Sequence, residues 1–447
     1  MTGIVALSVY AGLLALLAVG VIFRPPTALA AVCCIFGLKQ WGQATNGWLA
    51  AHPPATNIAI GVLVVCALVT AKIRGRCVLC HIPKVTWIIL IFLLYALLTL
   101  AWTPRLDLAL PVWLQEYPYL LTFIVLVPLV LHEPDDFRIA LRWFVTIGGA
   151  LAVILLLFAP WGDRGLNFGT TSLEGESNPL ALAGLGGSVA TAAMLLRNRR
   201  GGIFALAFRL VVVAAGLIVI VKSESRGQLL AAMAAMLLML PFAVKIGSAR
   251  GILISIVGCC VVAGALLFAF TSELSGAHPE RWSQTTESED TAVRFSMVQK
   301  LLDAWRQGGG TTMLLGLGNS ASFDPNLNGI YPHNVPMEVL GEEGFVGFAL
   351  YLSIFSCALV ALLRSIIASA GDQENRSIVA AVSASFLFFA ALTFKQGNML
   401  ASVEFFMYVI LLARLSRALQ TRAKQPVTQA AAVDASASVP LFPNMMR

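Results

Sequence analysis

Charge is what this chain has least of. Asp, Glu, Lys and Arg together make up 12% of its 447 residues, against 58% hydrophobic residues and a mean hydropathy of +0.83. That is too little charge for the surface of a water-soluble domain, and no stretch of soluble-domain composition stands out. What the chain has instead is a succession of apolar runs near the ~20 residues that cross a bilayer as a helix. They fall near 4–22, 27–38, 56–72, 85–101, 117–131, 138–158, 179–196, 203–221, 227–245, 250–270, 345–364, 377–393 and 401–415. The composition predicts an all-α, polytopic integral membrane protein.

Useful cysteine chemistry is also missing. Of the 8 cysteines, Cys33, Cys34, Cys66, Cys259, Cys260 and Cys357 lie inside apolar runs, where a thiol behaves as a small hydrophobe and no disulfide is needed. Cys77, Cys80 and His81 form a C-x-x-C-H, but in a short basic loop with no second ligand pair, so neither zinc nor haem is expected. Residues 4–22 resemble a signal peptide, yet carry no positive n-region and run directly into another apolar stretch, so they are read as retained.

The net charge of +7 is not a nucleic-acid stripe. Lys72/Arg74/Arg76/Lys84, Arg138/Arg142, Arg197/Arg199/Arg200, Lys245/Arg250, Arg364/Arg376 and Arg414/Arg417/Arg422/Lys424 fall on alternate loops, which makes those loops cytoplasmic. Loops 39–55, 102–116, 159–178, 222–226, 271–344 and 394–400 then face outward. The run 27–38 is short and follows Pro25-Pro26, so it is expected to join 4–22 in one broken crossing, giving about twelve spans with both termini inside. Residues 1–424 form a single transmembrane domain, and 425–447, without pattern or much charge, are expected to be a disordered cytoplasmic tail.

Loop 271–344 is the long hydrophilic one, and loops of that size usually carry function. Within it Val293, Met297, Val298, Leu301, Leu302 and Trp305 recur at helical spacing, predicting an amphipathic helix on the bilayer or against the bundle. With Asp290 or Thr291 as cap, Arg294 falls in the first turn, where the helix dipole disfavours a cation but first-turn N–H groups and a guanidinium together suit a phosphate. Snorkelling to headgroups or pairing with Asp290 are the alternatives. Lys222-Ser223-Glu224-Ser225-Arg226-Gly227 is a tight outward turn with two cations against the orientation bias; Glu224 neutralising one of them is its simpler reading.

The loop closes on Tyr331-Pro332-His333-Asn334-Val335-Pro336-Met337-Glu338, followed by Glu342-Glu343-Gly344 and an apolar run. His333 is expected near a helix N-terminus, where the dipole favours the neutral, proton-accepting imidazole; a histidine held by a loop carbonyl is the alternative. Acids at a helix start are common for dipole reasons alone, so none of the three glutamates is taken as catalytic. His52, His81, His132 and His278 are weaker candidates. No outward loop holds an Asp-x-Asp, and Leu315-Gly316-Leu317-Gly318-Asn319 lacks the Gly-Lys-Ser/Thr of a nucleotide loop, which argues against nucleotide-sugar enzymes and ATPases; the glycines allow a close turn.

A twelve-span topology, Ser225-Arg226-Gly227 ending an outward turn, Arg294 opening the loop helix, Leu315-Gly316-Leu317-Gly318, and His333-Asn334 running to Glu343-Gly344 together resemble the O-antigen ligase and polymerase superfamily over roughly residues 165–400. Asn178-Pro179 also matches a position seen there. The resemblance implies a GT-C-like membrane glycosyltransferase of the bacterial inner membrane, acting in lipopolysaccharide biosynthesis on the periplasmic side. Its donor would be an undecaprenyl-diphosphate-linked O-antigen, its acceptor the lipid A-core, and it would need no metal or other cofactor. His333 would be the general base, and Arg226 and Arg294 would hold the diphosphate. Lys222, Asn178, Asn334 and Glu338 would support them. Polymerases of O-antigen repeats and protein O-glycosyltransferases share the superfamily, and a lipid-linked saccharide flippase is the reading from another class. A transporter would carry charge deep inside its spans, whereas here charge gathers at the outer ends.

Overall fold

The computed structural model describes residues 3–76, 82–162, 165–167, 178–197, 202–244, scattered positions between 250 and 264, and 284–424. Cys77, Cys80, His81, Cys259, Cys260, His278, Arg281, most of the 250–270 run and the tail after Lys424 lie outside the described residues. The described chain is almost wholly helical, an all-α membrane protein. Its helices are α1 (Gly3–Phe23), α2 (Ala28–Cys33), α3 (Ile35–Thr45), α4 (Gly47–Ala51), α5 (Pro54–Ile73), α6 (Lys84–Thr99), α7 (Leu106–Leu120), α8 (Pro134–Phe158), α9 (Pro179–Leu195), α10 (Ile203–Lys222) and α11 (Arg226–Ala243). After the break come α12 (Gln284–Gln307), α13 (Gly309–Leu315), α14 (Val335–Ala368), α15 (Gln373–Thr393) and α16 (Val403–Lys424). Among the described residues, 8 helices are long and apolar enough to cross a membrane, and Lys84–Thr99 and Pro179–Leu195 are shorter apolar helices.

The bundle is centred on α9, α15 and the first half of α16, whose residues are buried almost without interruption. Small residues make this possible: Gly186 and Gly216 face each other so closely that a Cβ on either would strike the other's carbonyl, and Gly187 lies against the ring of Phe388. Without a hydrophobic driving force between helices in lipid, such close approach is what holds them together.

Contacts sort the loops into two ends. At one end Arg74 donates to the carbonyls of Ile22 and Phe23, Arg76 pairs with Asp136 at 2.6 Å, Arg138 with Asp135 and Glu374 at 2.9 Å, and Arg414 donates to Leu131 O. Among the described residues, the basic loops around Arg74/Arg76, Arg138 and Arg414 share one end. The N-terminal expectation is corrected. Tyr10 bonds Thr56 at the head of α5, while Arg74 at its tail reaches Ile22 and Phe23, so α1 runs parallel to α5. The helix after the Pro25–Thr27 turn comes back, bringing Gly42 and Trp41 against Tyr10. Runs 4–22 and 27–38 are therefore two passes rather than one broken crossing. Several helices also outrun the apolar stretches that marked them: α3 continues past Leu38 to Thr45, and the run at 117–131 begins at Leu106.

Candidate functional site

The opposite end of the bundle gathers the loops expected to face outward, and α14 organises it. Asn334 caps this helix, accepting from Met337 N at 3.2 Å, with Pro336 in the first turn. At Gly344 the helix breaks, with φ 65. A Cβ there would strike Gly316 N and Leu314 O, and one on Gly316 (φ 87) would strike the Glu342 carbonyl, so both positions need glycine for space as well as for conformation. Leu317 N and Gly318 N donate to the carbonyls of Gly341 and Glu342 at 3.0 and 2.9 Å. The close turn expected of Gly316 and Gly318 is present, stitched onto the kink.

Two buried carboxylates lock that stitch. Glu342 accepts from Ser320 N at 2.6 Å and Ser322 N at 2.9 Å; Glu343 accepts from Asn319 Nδ2 at 2.8 Å and Thr99 Oγ1 at 2.9 Å. Trp113 Nε1 donates to Asn319 Oδ1 at 2.8 Å. These glutamates anchor the loop to the kink. Helix α12 docks on the same element through Leu301, which lies over Gly341, and Trp305, whose ring meets Phe345 edge-on at 5.2 Å. Its N-terminal half leaves Val293 and Phe295 exposed.

The loop delivers His333 one residue before the cap, in the left-handed region at φ 57. That conformation is uncommon for a residue with a side chain and persists only where neighbours impose it. Here Asn334 Nδ2 donates to Phe394 O at 3.3 Å, and the Tyr331 ring meets the imidazole edge-on with centroids 4.5 Å apart. Burial, and then the charge of Glu338, push the Tyr331 hydroxyl above its usual pKa; Arg294 works the other way. Tyr331, Arg294 and Glu338 are thus close electrostatic neighbours. Glu338 is 3% exposed; one of its oxygens accepts from Met399 N at 3.2 Å and the other has no hydrogen-bond partner.

Arg294 donates to Lys395 O at 3.4 Å. It is not in a first turn: α12 already begins at Gln284, nearly three turns earlier. Capping residues at 290 and 291 misled because the polar stretch before them carries no apolar period. The argument from the helix dipole falls, while the position beside the outward loops stands. Arg226 opens α11, and Gly227 next to it receives the side chain of Lys395, whose Cδ, Cε and Nζ occupy the space a Cβ would take. Lys395 went unmarked in the sequence, where it is one cation in a short outward loop. No local signal identifies it, since its place depends on a glycine in a distant turn.

The segment Phe394–Met399 therefore joins Arg226, Arg294, Asn334 and Glu338, with His333 alongside. Asn178 is a helix cap, accepting from Ala181 N at 3.2 Å, and its carbonyl receives Gln40 Nε2 at 2.9 Å. Gln228 Nε2, two residues after Arg226, donates to Leu180 O at 2.8 Å, which fixes the head of α9 to this side of the site. Lys222 ends α10, and no contact joins it to the other candidates among the described residues. His52 stacks on Trp48 and bonds its carbonyl, a local structural role.

What fold and site define is a helical membrane protein that, at the end opposite the basic loops, holds an imidazole beside a cluster of cations. A family model described as O-antigen ligase matches residues 210–352, a stretch that contains Arg226, Arg294, His333 and Glu338. That match supports the O-antigen ligase superfamily, whose proteins are glycosyltransferase-like enzymes acting on lipid-linked glycans. No curated protein matches the chain at a significant level.

Proposed function

We propose that the protein is an O-antigen ligase of the bacterial inner membrane, moving a glycan from undecaprenyl diphosphate to a sugar hydroxyl of the lipid A-core on the periplasmic side. The observation that carries this reading is the convergence of Arg226, Arg294 and Lys395 through the 394–399 segment, beside His333. A diphosphate already leaves readily, and guanidinium groups aimed at its oxygens stabilise the charge that grows as the sugar departs. The acceptor hydroxyl oxygen forms a bond to the anomeric carbon while the bond from that carbon to the phosphate oxygen breaks. The hydroxyl proton passes to His333, and the diphosphate departs with the bonding pair. A single displacement of this kind inverts the anomeric centre and needs no carboxylate nucleophile.

The test is product analysis. Purified protein in liposomes receives lipid-linked glycan with and without lipid A-core. Glycan on lipid A-core, and no lengthening of the donor when acceptor is omitted, is the expected result; lengthened donor without acceptor makes the protein a polymerase instead.

A further inference from the structure

At the end that holds the basic loops, α8, α9 and α10 separate. Deeper in the bundle they are in close contact, Gly149 against Val212 and Gly186 against Gly216. Nearer the loops a cavity of about 190 Å³ opens between them. Val145, Leu196 and Phe208 wall it together with Arg142, Arg197 and Arg209, and among the described residues no carboxylate lines it. Phe208 is 46% exposed and lies one turn from Phe204, 87% exposed, so the slot opens toward lipid.

Three guanidinium groups around an apolar slot are costly in a helical bundle unless an anion joins them. Arg209 is the most telling, because it lies nearly two turns inside α10, the most apolar of the candidate spans. It donates to the carbonyls of Ala193 and Met194 at 2.8 and 2.6 Å, at the tail of α9. Those bonds use two of its five N–H groups and bring no counter-charge. Arg142 is 3.9 Å from Glu374, a carboxylate already held by Arg138 at 2.9 Å. Arg197 has no hydrogen-bond or ion-pair partner among the described residues.

Arg197 also lines a larger cleft of about 530 Å³, with Arg138, Asp372, Glu374 and Arg422. The acids of this cleft are committed. Asp372 caps α15, accepting from Glu374 N at 2.9 Å and Asn375 Nδ2 at 2.8 Å, and Glu374 pairs with Arg138. Slot and cleft therefore meet at an arginine with no counter-charge.

We propose that the two spaces form one site for an anionic phospholipid. Its phosphate lies between Arg142, Arg197 and Arg209, a stretch of acyl chain lies on Val145, Leu196 and Phe208, and a polyol headgroup enters the cleft. Guanidinium forks suit phosphate oxygens, and basic pockets between spans at the end expected to face the cytoplasm suit anionic headgroups. Free phosphate would leave the apolar walls uncovered, and a zwitterionic lipid would bring an ammonium group to a lining already rich in arginine. The site lies at the other end of the bundle from His333 and stands independently of the transfer reaction.

The experiment is native mass spectrometry of the detergent-solubilised full chain, titrated with phosphatidylglycerol, with phosphatidylethanolamine of the same chains, and with inorganic phosphate as competitor. Wild type is expected to bind phosphatidylglycerol saturably and about tenfold more tightly than phosphatidylethanolamine, and phosphate at the same concentration should not displace it. Arg142→Gln and Arg197→Gln should each weaken that binding about fivefold, and together about thirtyfold. Ala205→Trp, which fills the slot and leaves the charges in place, should weaken it too. Arg306→Gln on α12 should not, and unchanged melting profiles of the arginine variants separate lost binding from lost fold. Equal affinity for the two lipids, displacement by phosphate, or full affinity in either the double arginine variant or Ala205→Trp overturns the site.

Discussion

Gly227 has only a hydrogen where Lys395 needs room, and a cation that is distant in sequence comes to lie beside Arg226 because of it. A Cβ at this position meets the far end of a flexible side chain rather than backbone. Gly227→Ala is therefore expected to fold with an unchanged melting profile while displacing the ammonium, and to lower transfer as Lys395→Met does. An active Gly227→Ala variant beside an inactive Lys395→Met variant would show that the lysine acts from another position. For the arginines, fork geometry matters more than charge, because a lysine cannot donate two parallel bonds to phosphate. Arg226→Lys and Arg294→Lys should each slow turnover, and the double variant should fall short of the combined losses, as groups acting on one leaving group do. Independent, fully additive effects in single-turnover assays would assign them to different tasks.

The elements show how much of this the sequence discloses. Apolar runs and Lys/Arg clusters place the spans and sort the loops, because burial in lipid and membrane orientation are written in composition. His333, Asn334 and Arg226 stand out as well, since a helix start and a charge against the orientation bias are local signals. The extents of α3 and α7 do not, because both helices continue where their hydrophobicity stops. The start of α12 was equally hidden, its first turns having no apolar face to give a period. The α14 kink makes a prediction at this scale. Glu342→Ala frees the buried N–H groups of Ser320 and Ser322, at about 1–3 kcal/mol each. Thermal melting should move down and proteinase K should cut within 316–334 of the folded protein; an unchanged melt and an uncut loop would mean that the glycine contacts alone hold it.

Across the whole molecule the reversal between α1 and α2 changes the topology. With the 250–270 run taken from its sequence as one further pass, α1, α2 with α3, α5 to α11, that run, α14, α15 and α16 lead to an expected thirteen passes. If the basic clusters lie inside, an odd number is expected to put the two ends of the chain on opposite faces. A tag before Gly3 should be digested by protease added to spheroplasts, and a tag after Lys424 should be protected until the membrane is opened. Protection of both tags would restore the even count.

The end of the bundle that holds His333 is expected to perform a base-assisted transfer from a lipid diphosphate. This expectation is tested most directly by comparing wild type and His333→Ala in a reconstituted transfer assay containing excess EDTA, with donor binding measured on the same samples. Wild type is expected to transfer glycan in EDTA, and His333→Ala to bind donor normally while turning over roughly 10²–10⁴-fold more slowly. Near-normal turnover by His333→Ala, or wild-type activity lost in EDTA and restored by Mg²⁺ or Mn²⁺, would contradict it.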